Sequence, residues 1–257
     1  HYNIYVGTES GVYDRKFSTT NNSIVISDLQ SGVYNFIGIS IADVEGYDGY
    51  VIEKEYLPFS FTFNKGILIV DETSDGNGTI LKPSDDQVDE FYSSLLEDFE
   101  TQEFDIINEE GISLTDFGNY STIIWHGNDS KNLQILSLVK PDLIRYLDAG
   151  GNFLYTGYLP SKAFESNLIY PMEFGLGDFI HDYLKINFVK KEFGSRFVGA
   201  ISALSSYIYL PIDSSKTQES YGFHIPLIES IDAADEASNI YYFDTHYDTA
   251  TVQGSMY

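Results

Sequence analysis

Cysteine is absent from this chain of 257 residues, and basic residues are scarce. The absence of cysteine excludes disulfide bonds, thiolate metal sites and every mechanism that uses a cysteine nucleophile. Lysine and arginine number 14 against 39 aspartates and glutamates, which gives a formal net charge of -25 at pH 7. A chain this acidic repels nucleic-acid phosphates and anionic membrane surfaces, so we expect neither as a partner.

The sequence also lacks an apolar run of membrane-spanning length, a signal peptide and a lipidation motif. We therefore expect no membrane insertion, and we expect any export signal to lie outside these residues. The lack of cysteine fits an exported bacterial protein better than a eukaryotic secreted one, in which small modules usually carry disulfides. The predicted location is secreted or cell surface.

The chain is nevertheless rich in core-forming residues, with 43% hydrophobic residues, 21 tyrosines and 18 phenylalanines. This composition predicts a folded protein, and the length predicts two units, which we place at residues 1–62 and 63–257. In the first unit, short alternating runs separated by turn residues predict antiparallel strands. The runs are Tyr2 to Val6, Val12 to Phe17, Ser23 to Ile26, Val33 to Ile41 and Tyr50 to Tyr56.

The second unit alternates buried strand patterns with amphipathic helix patterns. Strands are predicted at Ile67 to Asp71, Phe104 to Asn108, Ser121 to Trp125 and Asn152 to Thr156, and helices from about residue 83 to 99 and at Leu133 to Leu147. This alternation predicts an α/β three-layer sandwich with a mostly parallel sheet. After residue 160 the pattern is weaker, with a helix predicted at Gly177 to Leu184 and strands at Tyr207 to Leu210 and Ile240 to Phe243.

The first unit resembles part of a fibronectin type III module, an immunoglobulin-like β-sandwich. The segment Leu29 to Phe36 is similar to the tyrosine corner of that family, with Gly32 as its turn glycine and Tyr34 as its tyrosine. The first two strands of such a module have no counterpart before His1. The resemblance implies an incomplete sandwich: either these residues are a proteolytic remnant, or the missing strands come from another chain or from the larger unit.

Residues 66 to about 160 resemble the class I glutamine amidotransferase-like fold in the order of their strands and helices. In catalytic members of that family, the strand equivalent to Asn152 to Thr156 turns sharply into a helix and presents a nucleophile. Gly157 or Tyr158 occupies that place here, and neither can act as the nucleophile. Ser161 is the nearest hydroxyl, but it comes too late in the turn. The resemblance therefore implies a degenerate, noncatalytic domain.

Loops after parallel strands form the ligand crevice in sheets of this kind. They provide five crevice candidates: His126, Asn128, Asp129, Gly157 and Tyr158. His126 and Asp129 have the chemistry of a base and its orienting group, but no nucleophile accompanies them. An inherited, inactive cleft is the simpler interpretation.

Two sets of residues have the chemistry of metal ligands. Asp71, Asp75 and Asn77 offer the hard oxygen ligands that Ca²⁺ prefers, but their spacing misses the EF-hand pattern, and a turn-rich connection explains the same residues. We therefore expect no cofactor, with Ca²⁺ as the alternative. Asp244, His246 and Asp248 would share one face of a strand, an arrangement more typical of a solvated surface.

The sequence thus predicts a noncatalytic interaction or scaffold module of a bacterial exported protein. Its expected partners are other domains of the parent protein or an extracellular ligand, and the sequence leaves the oligomeric state open. A carbohydrate- or peptide-binding domain that uses the crevice is the first alternative, and a hydrolase accessory or catalytic domain is the second.

Overall fold

A computed structural model describes residues 1–74, 83–109, 111–127, 135–216, 225–245 and 251–256. The chain divides into two compact units, His1–Thr62 and Phe63–Tyr257. Within the described residues, no helix has the length and apolar character needed to cross a membrane.

The first unit is one antiparallel sheet of four strands in the order β2-β1-β3-β4. Its strands are β1 (Tyr2–Gly7), β2 (Arg15–Thr19), β3 (Asn35–Ile41) and β4 (Ile52–Tyr56). The predicted run Ser23 to Ile26 is not a strand. Gly32 adopts a φ of +74°, which a turn glycine accommodates without steric cost.

The two faces of this sheet differ in chemistry because side chains alternate along each strand. The strand pairing places Ile4, Ile39 and Ile52 in one row on the same face. Asp48 lies at the other face, where it accepts hydrogen bonds from Asn3, Tyr5 and Ser40. The sheet is therefore apolar on one side and polar on the other.

The second unit contains a four-stranded parallel sheet in the order β6-β5-β7-β8. Its strands are β5 (Lys65–Glu72), β6 (Thr101–Asp105), β7 (Tyr120–Gly127) and β8 (Asn152–Gly157). Gly66 is the second residue of β5, and the chain passes so close to Glu100 there that its carbonyl oxygen would lie 2.0 Å from an added Cβ. The predicted parallel arrangement is confirmed for these strands.

Within the described residues, five α-helices accompany the sheets: α1 (Asp85–Leu95), α2 (Leu114–Phe117), α3 (Ile135–Asp148), α4 (Ser161–Phe164) and α5 (Phe179–Asp182). Ser84 precedes α1 as its N-cap residue and forms a capping box with Gln87. Helix α1 packs on one face of the sheet, where its following residue Leu96 contacts Ile69 and Ile124.

The opposite face of the parallel sheet meets other helices. Phe164 of α4 packs edge-on against Phe153 and Tyr155 of β8. The Tyr146 hydroxyl of α3 donates to the carbonyl oxygens of Tyr120 (3.1 Å) and Asn152 (3.2 Å). Helix α3 is thereby joined to the starts of β7 and β8.

The rest of the second unit is an antiparallel sheet that the sequence analysis did not predict as a sheet. Its strands are β9 (Met172–Glu173), β10 (Ile186–Ser202), β11 (Leu210–Pro211), β12 (Ile225–Ala233), β13 (Ser238–Thr245) and β14 (Thr251–Met256). Strand β10 pairs with β9, β11, β12 and β13. The fold is therefore mixed α/β, with a parallel sheet beside a larger antiparallel one.

Candidate functional site

The parallel strands bring a row of polar side chains to their carboxyl ends. Asp105, Asp71, His126 and Thr156 are consecutive partners across β6, β5, β7 and β8. Residues in one row of a sheet point to the same face, so all four lie on the side that α1 covers. Asp71 and His126, two of the predicted residues, are thus neighbours.

Helix α1 adds three side chains to this row. Asp85, Asp89 and Tyr92 recur at spacings of four and three residues, which places them on one helical face. Tyr92 stacks on the His126 ring with the ring centroids 4.3 Å apart. Its hydroxyl hydrogen-bonds with Thr156 on β8. The helix therefore covers the ends of the strands with an aromatic ring.

Asp71 and His126 are the most enclosed members of the cluster. Their side chains are 4% and 3% exposed, and Asp71 Oδ1 lies 3.5 Å from His126 Nδ1. Asp71 Oδ1 also accepts a hydrogen bond from the Thr73 amide at 2.7 Å. The Thr73 hydroxyl lies 2.6 Å from both Asp71 Oδ1 and Asp85 Oδ1 and can donate to one of them at a time. Thr73 thus holds the acidic groups of β5 and α1 together.

Burial and like charges dominate the electrostatics of the cluster. Burial, followed by the nearby carboxyls of Asp71 and Asp85, raises the pKa of Asp89 to about 7. Burial lowers the pKa of His126 below its ordinary value, although the Asp71 carboxylate opposes this shift. The imidazole is therefore uncharged at neutral pH, and Asp89 retains its proton in mildly acidic solution.

Two buried atoms of this cluster, His126 Nδ1 and Asp89 Oδ1, have no hydrogen-bond partner. Asp105 is different, because its carboxylate accepts hydrogen bonds from the amides of Ile107 and Asn108 in the turn that follows β6. Asp105 therefore stabilises the turn after β6 and is not part of the site. The two unsatisfied atoms mark the centre of the candidate site.

The other predicted crevice residues lie apart from this centre. An added Cβ at Gly157 would lie 2.8 Å from the Gly127 carbonyl oxygen, so close packing of β7 against β8 accounts for this glycine. Tyr158 follows the end of β8 and lies near enough to Tyr170 to contribute to the raised pKa of that hydroxyl. Asn128 and Asp129, and likewise Asp75 and Asn77 of the predicted Ca²⁺ set, lie outside the described residues.

Ser161 lies in a second polar cluster, where it is buried. Its backbone N–H donates to Glu229 Oε1 at 3.0 Å, and the Tyr170 hydroxyl donates to the other carboxyl oxygen. Burial raises the pKa of Glu229, and this effect exceeds that of the hydrogen bonds, which lower the pKa. The arrangement satisfies a buried carboxyl and gives Ser161 no exposed position from which to attack a substrate.

The last predicted metal set is only partly described. Asp244 accepts a hydrogen bond from the Tyr209 hydroxyl at 2.7 Å. His246 and Asp248 lie outside the described residues. Tyr209 and its neighbour Tyr207 are exposed on this sheet.

Sequence reasoning missed Asp89, Tyr92 and Thr156 as members of the site. The regular spacing of Asp85, Asp89 and Tyr92 was the signal that could have identified the two helical residues. Thr156 could have been identified from the parallel register, because it occupies the row of His126.

The raised pKa of Asp89 gives a prediction for the metal-free chain. A carboxyl whose folded pKa lies above its unfolded value stabilises the fold at low pH, and this contribution is lost as pH rises through about 7. Between pH 4 and 8 we expect this carboxyl to lower the free energy of unfolding of the wild-type chain by about 2 kcal/mol, after allowance for solvent screening. The Asp89→Asn variant should not show this decrease. Urea unfolding of both proteins across this range, with a chelator present, measures the difference; parallel pH profiles would contradict it.

Comparisons with protein-family models, curated proteins and solved structures found no match to this chain.

Proposed function

We propose that this chain is a noncatalytic interaction module of a secreted or cell-surface bacterial protein. In this proposal the first unit is a partial β-sandwich similar to fibronectin type III, and the second contains a degenerate amidotransferase-like three-layer domain. Helices on both faces of the parallel sheet support the second assignment. The proposal rests chiefly on the exposed apolar face of the first unit.

That apolar face is formed by the side chains of β1, β3 and β4 that point away from Asp48. Ile41 and Ile52 are 68% and 71% exposed, and Ile39 and Tyr56 are also exposed. These residues line an open groove of about 780 Å³. Contiguous exposed apolar surface on a folded domain usually marks an interaction site. Each sheet of a β-sandwich likewise has an apolar face, which packs against the other sheet.

Charge on this face indicates what covers it. The strand register places Lys54 in the row of Ile37 on the apolar face, whereas Glu53 lies on the polar face and accepts hydrogen bonds from Ser10 and Tyr13. A second copy would bring two lysines together and would add the repulsion between two chains of charge -25. We therefore infer that the occupant is an apolar sheet face with an acidic group opposite Lys54, supplied by another domain of the parent protein.

The turn after β8 supports the absence of catalysis. This turn leads into α4, where an amidotransferase-like enzyme would carry its nucleophile. Leu159 holds the left-handed conformation there, with a φ of +52°, and its apolar side chain is buried. A left-handed leucine is uncommon, and it leaves this sharp turn without a reactive group. Gly157, Tyr158 and the buried Ser161 do not supply one.

The enclosed crevice gives the same indication. Substrate would have to reach His126, but Tyr92 stacks on the imidazole and little of its surface is exposed. The carbohydrate- or peptide-binding alternative requires an open, aromatic-lined pocket at this place. Within the described residues, the aromatic ring at this place closes the crevice.

The apolar face can be tested with 8-anilinonaphthalene sulfonate, a dye that fluoresces on exposed apolar surface. We expect Ile41→Lys and Ile52→Lys to reduce dye fluorescence while changing the free energy of unfolding by less than about 0.5 kcal/mol, because both side chains are already exposed. Val44→Lys is the matched control, because Val44 is fully exposed on a turn between β3 and β4.

Three results would overturn this assignment. A loss of about 2 kcal/mol or more in Ile41→Lys would mean that the face is covered within the chain. A dimer in sedimentation velocity that Ile52→Lys converts to monomer would mean that the occupant is a second copy. Unchanged dye binding in both variants would place the exposed apolar surface elsewhere.

A further inference from the structure

Three side chains from three separate elements converge under α1. Asp71 comes from β5, His126 from β7 and Asp89 from α1. One potential ligand atom of each side chain lies within 4.8 Å of the other two. Two carboxylates and one imidazole at these separations can surround a single ion.

The imidazole supplies an observation that is independent of the acidic cluster. The His126 side chain is only 3% exposed, yet its Nδ1 has no hydrogen-bond partner. This nitrogen lies 3.5 Å from Asp71 Oδ1. Asp89 Oδ1, in the same cluster, is also buried without a partner. Buried polar atoms are almost always satisfied, and an ion is one of the few explanations for a pair that is not.

We propose that Asp71, Asp89 and His126 bind a divalent first-row transition metal, with Zn²⁺ as the preferred ion. Zn²⁺ takes imidazole nitrogen together with carboxylate oxygen and usually has four ligands, so a water molecule or a second carboxylate oxygen completes the set. Ca²⁺ prefers six to eight oxygen ligands, and an imidazole ligand argues against it. The ion therefore differs from the Ca²⁺ that the sequence suggested for Asp71.

A metal at this position has a structural consequence. The ligands join α1 to the carboxyl ends of β5 and β7, so the ion fixes the helix that covers the crevice. The enclosure of Asp71 and His126 would keep substrate away from the ion, and this supports a structural role. This inference goes beyond the proposed function and does not depend on the apolar face of the first unit.

The test uses the tag-free chain after treatment with a chelator. We expect Zn²⁺, titrated by calorimetry, to bind one ion per chain and to raise the melting temperature by several degrees. We expect Asp89→Asn and His126→Gln to weaken Zn²⁺ binding by at least about tenfold, because each removes a ligand atom. Co²⁺ in place of Zn²⁺ should give the visible absorption of a four-coordinate site in the wild-type chain, and this signal should disappear in both variants.

Asp86→Asn is the matched control, because Asp86 is an exposed residue of the same helix beside the cluster. It should leave Zn²⁺ affinity unchanged. Asp89→Asn removes a carboxyl that lies among like charges, so this variant is expected to fold without metal and its binding can be measured. Absence of Zn²⁺ binding, or equal affinity in Asp89→Asn, His126→Gln and Asp86→Asn, would overturn the proposal. Tighter binding of Ca²⁺ than of Zn²⁺ would show that the assignment to a first-row transition metal is wrong.

Discussion

Tyr146→Ala is expected to lower the free energy of unfolding of the second unit by about 4 kcal/mol. Tyr146 is fully buried on α3, and its ring packs edge-on against Phe117 and Phe63. The alanine variant leaves a cavity that the surrounding structure can close only in part. It also removes the hydroxyl that donates to the carbonyl oxygens of Tyr120 and Asn152.

Tyr146→Phe separates the two contributions of this side chain. The phenylalanine ring fills the same space, but the two backbone carbonyls lose their shared donor, so we expect a loss of about 2 kcal/mol. Leu176→Ala is the control, because Leu176 is 92% exposed.

Urea unfolding followed by tryptophan fluorescence measures these differences. The chain has one tryptophan, Trp125, which lies on β7 of the same unit, so the signal reports this unit even if the two units unfold separately. A loss below about 1 kcal/mol in Tyr146→Ala would show that α3 does not hold β7 and β8 in the way described.

The parallel sheet could be predicted from the sequence because its strands are short apolar runs next to turn residues. Ile67 to Asp71 and Asn152 to Thr156 were predicted within one or two residues of β5 and β8. The antiparallel sheet could not be predicted in the same way. Its long strand β10 carries Lys190, Lys191 and Glu192 in succession, and this charged segment hides the alternation that identifies a strand.

Helix α1 shows why the site itself was missed. The helix was predicted to continue to about residue 99 because apolar residues recur at helical spacing, at Val88, Phe91, Leu95, Leu96 and Phe99. Leu96 is buried, but Phe91, Leu95 and Phe99 are exposed, and the helix ends at Leu95. Asp89 and Tyr92 face the sheet instead. A local pattern that conflicts with the global fold is expected at functional sites, where polar groups occupy positions that packing alone would give to apolar residues.

Asp71 and His126 could be predicted as site residues because they end two apolar strands. Their contact depends on the order β6-β5-β7-β8, which makes β5 and β7 neighbours although β6 lies between them in the sequence. Strand order in a parallel sheet is set by long-range packing, and no local signal in Asp71 or His126 contains it.

We infer that the crevice at the carboxyl ends of the strands is closed, in keeping with our proposal that the chain acts by binding and not by catalysis. Diethyl pyrocarbonate acylates uncharged imidazole, and the lowered pKa of His126 makes this side chain chemically reactive at neutral pH. Protection of His126 therefore reports closure rather than protonation. His181, whose side chain is 19% exposed, provides the internal comparison.

A variant distinguishes cover by α1 from other causes of protection. Tyr92→Ala removes the ring that stacks on His126, so we expect it to raise the acylation rate of His126. Leu95→Ala, an exposed position on the same helix, should not change that rate.

The decisive measurement is the rate of acylation at each histidine of the chelator-treated wild-type chain, read by mass spectrometry of its peptides. We predict that His126 reacts at least about tenfold more slowly than His181, since each 1.4 kcal/mol needed for local opening lowers the reactive population about tenfold. Reaction of His126 as fast as His181 would mean that the crevice is open to ligands, and the inference of a closed crevice would then be wrong.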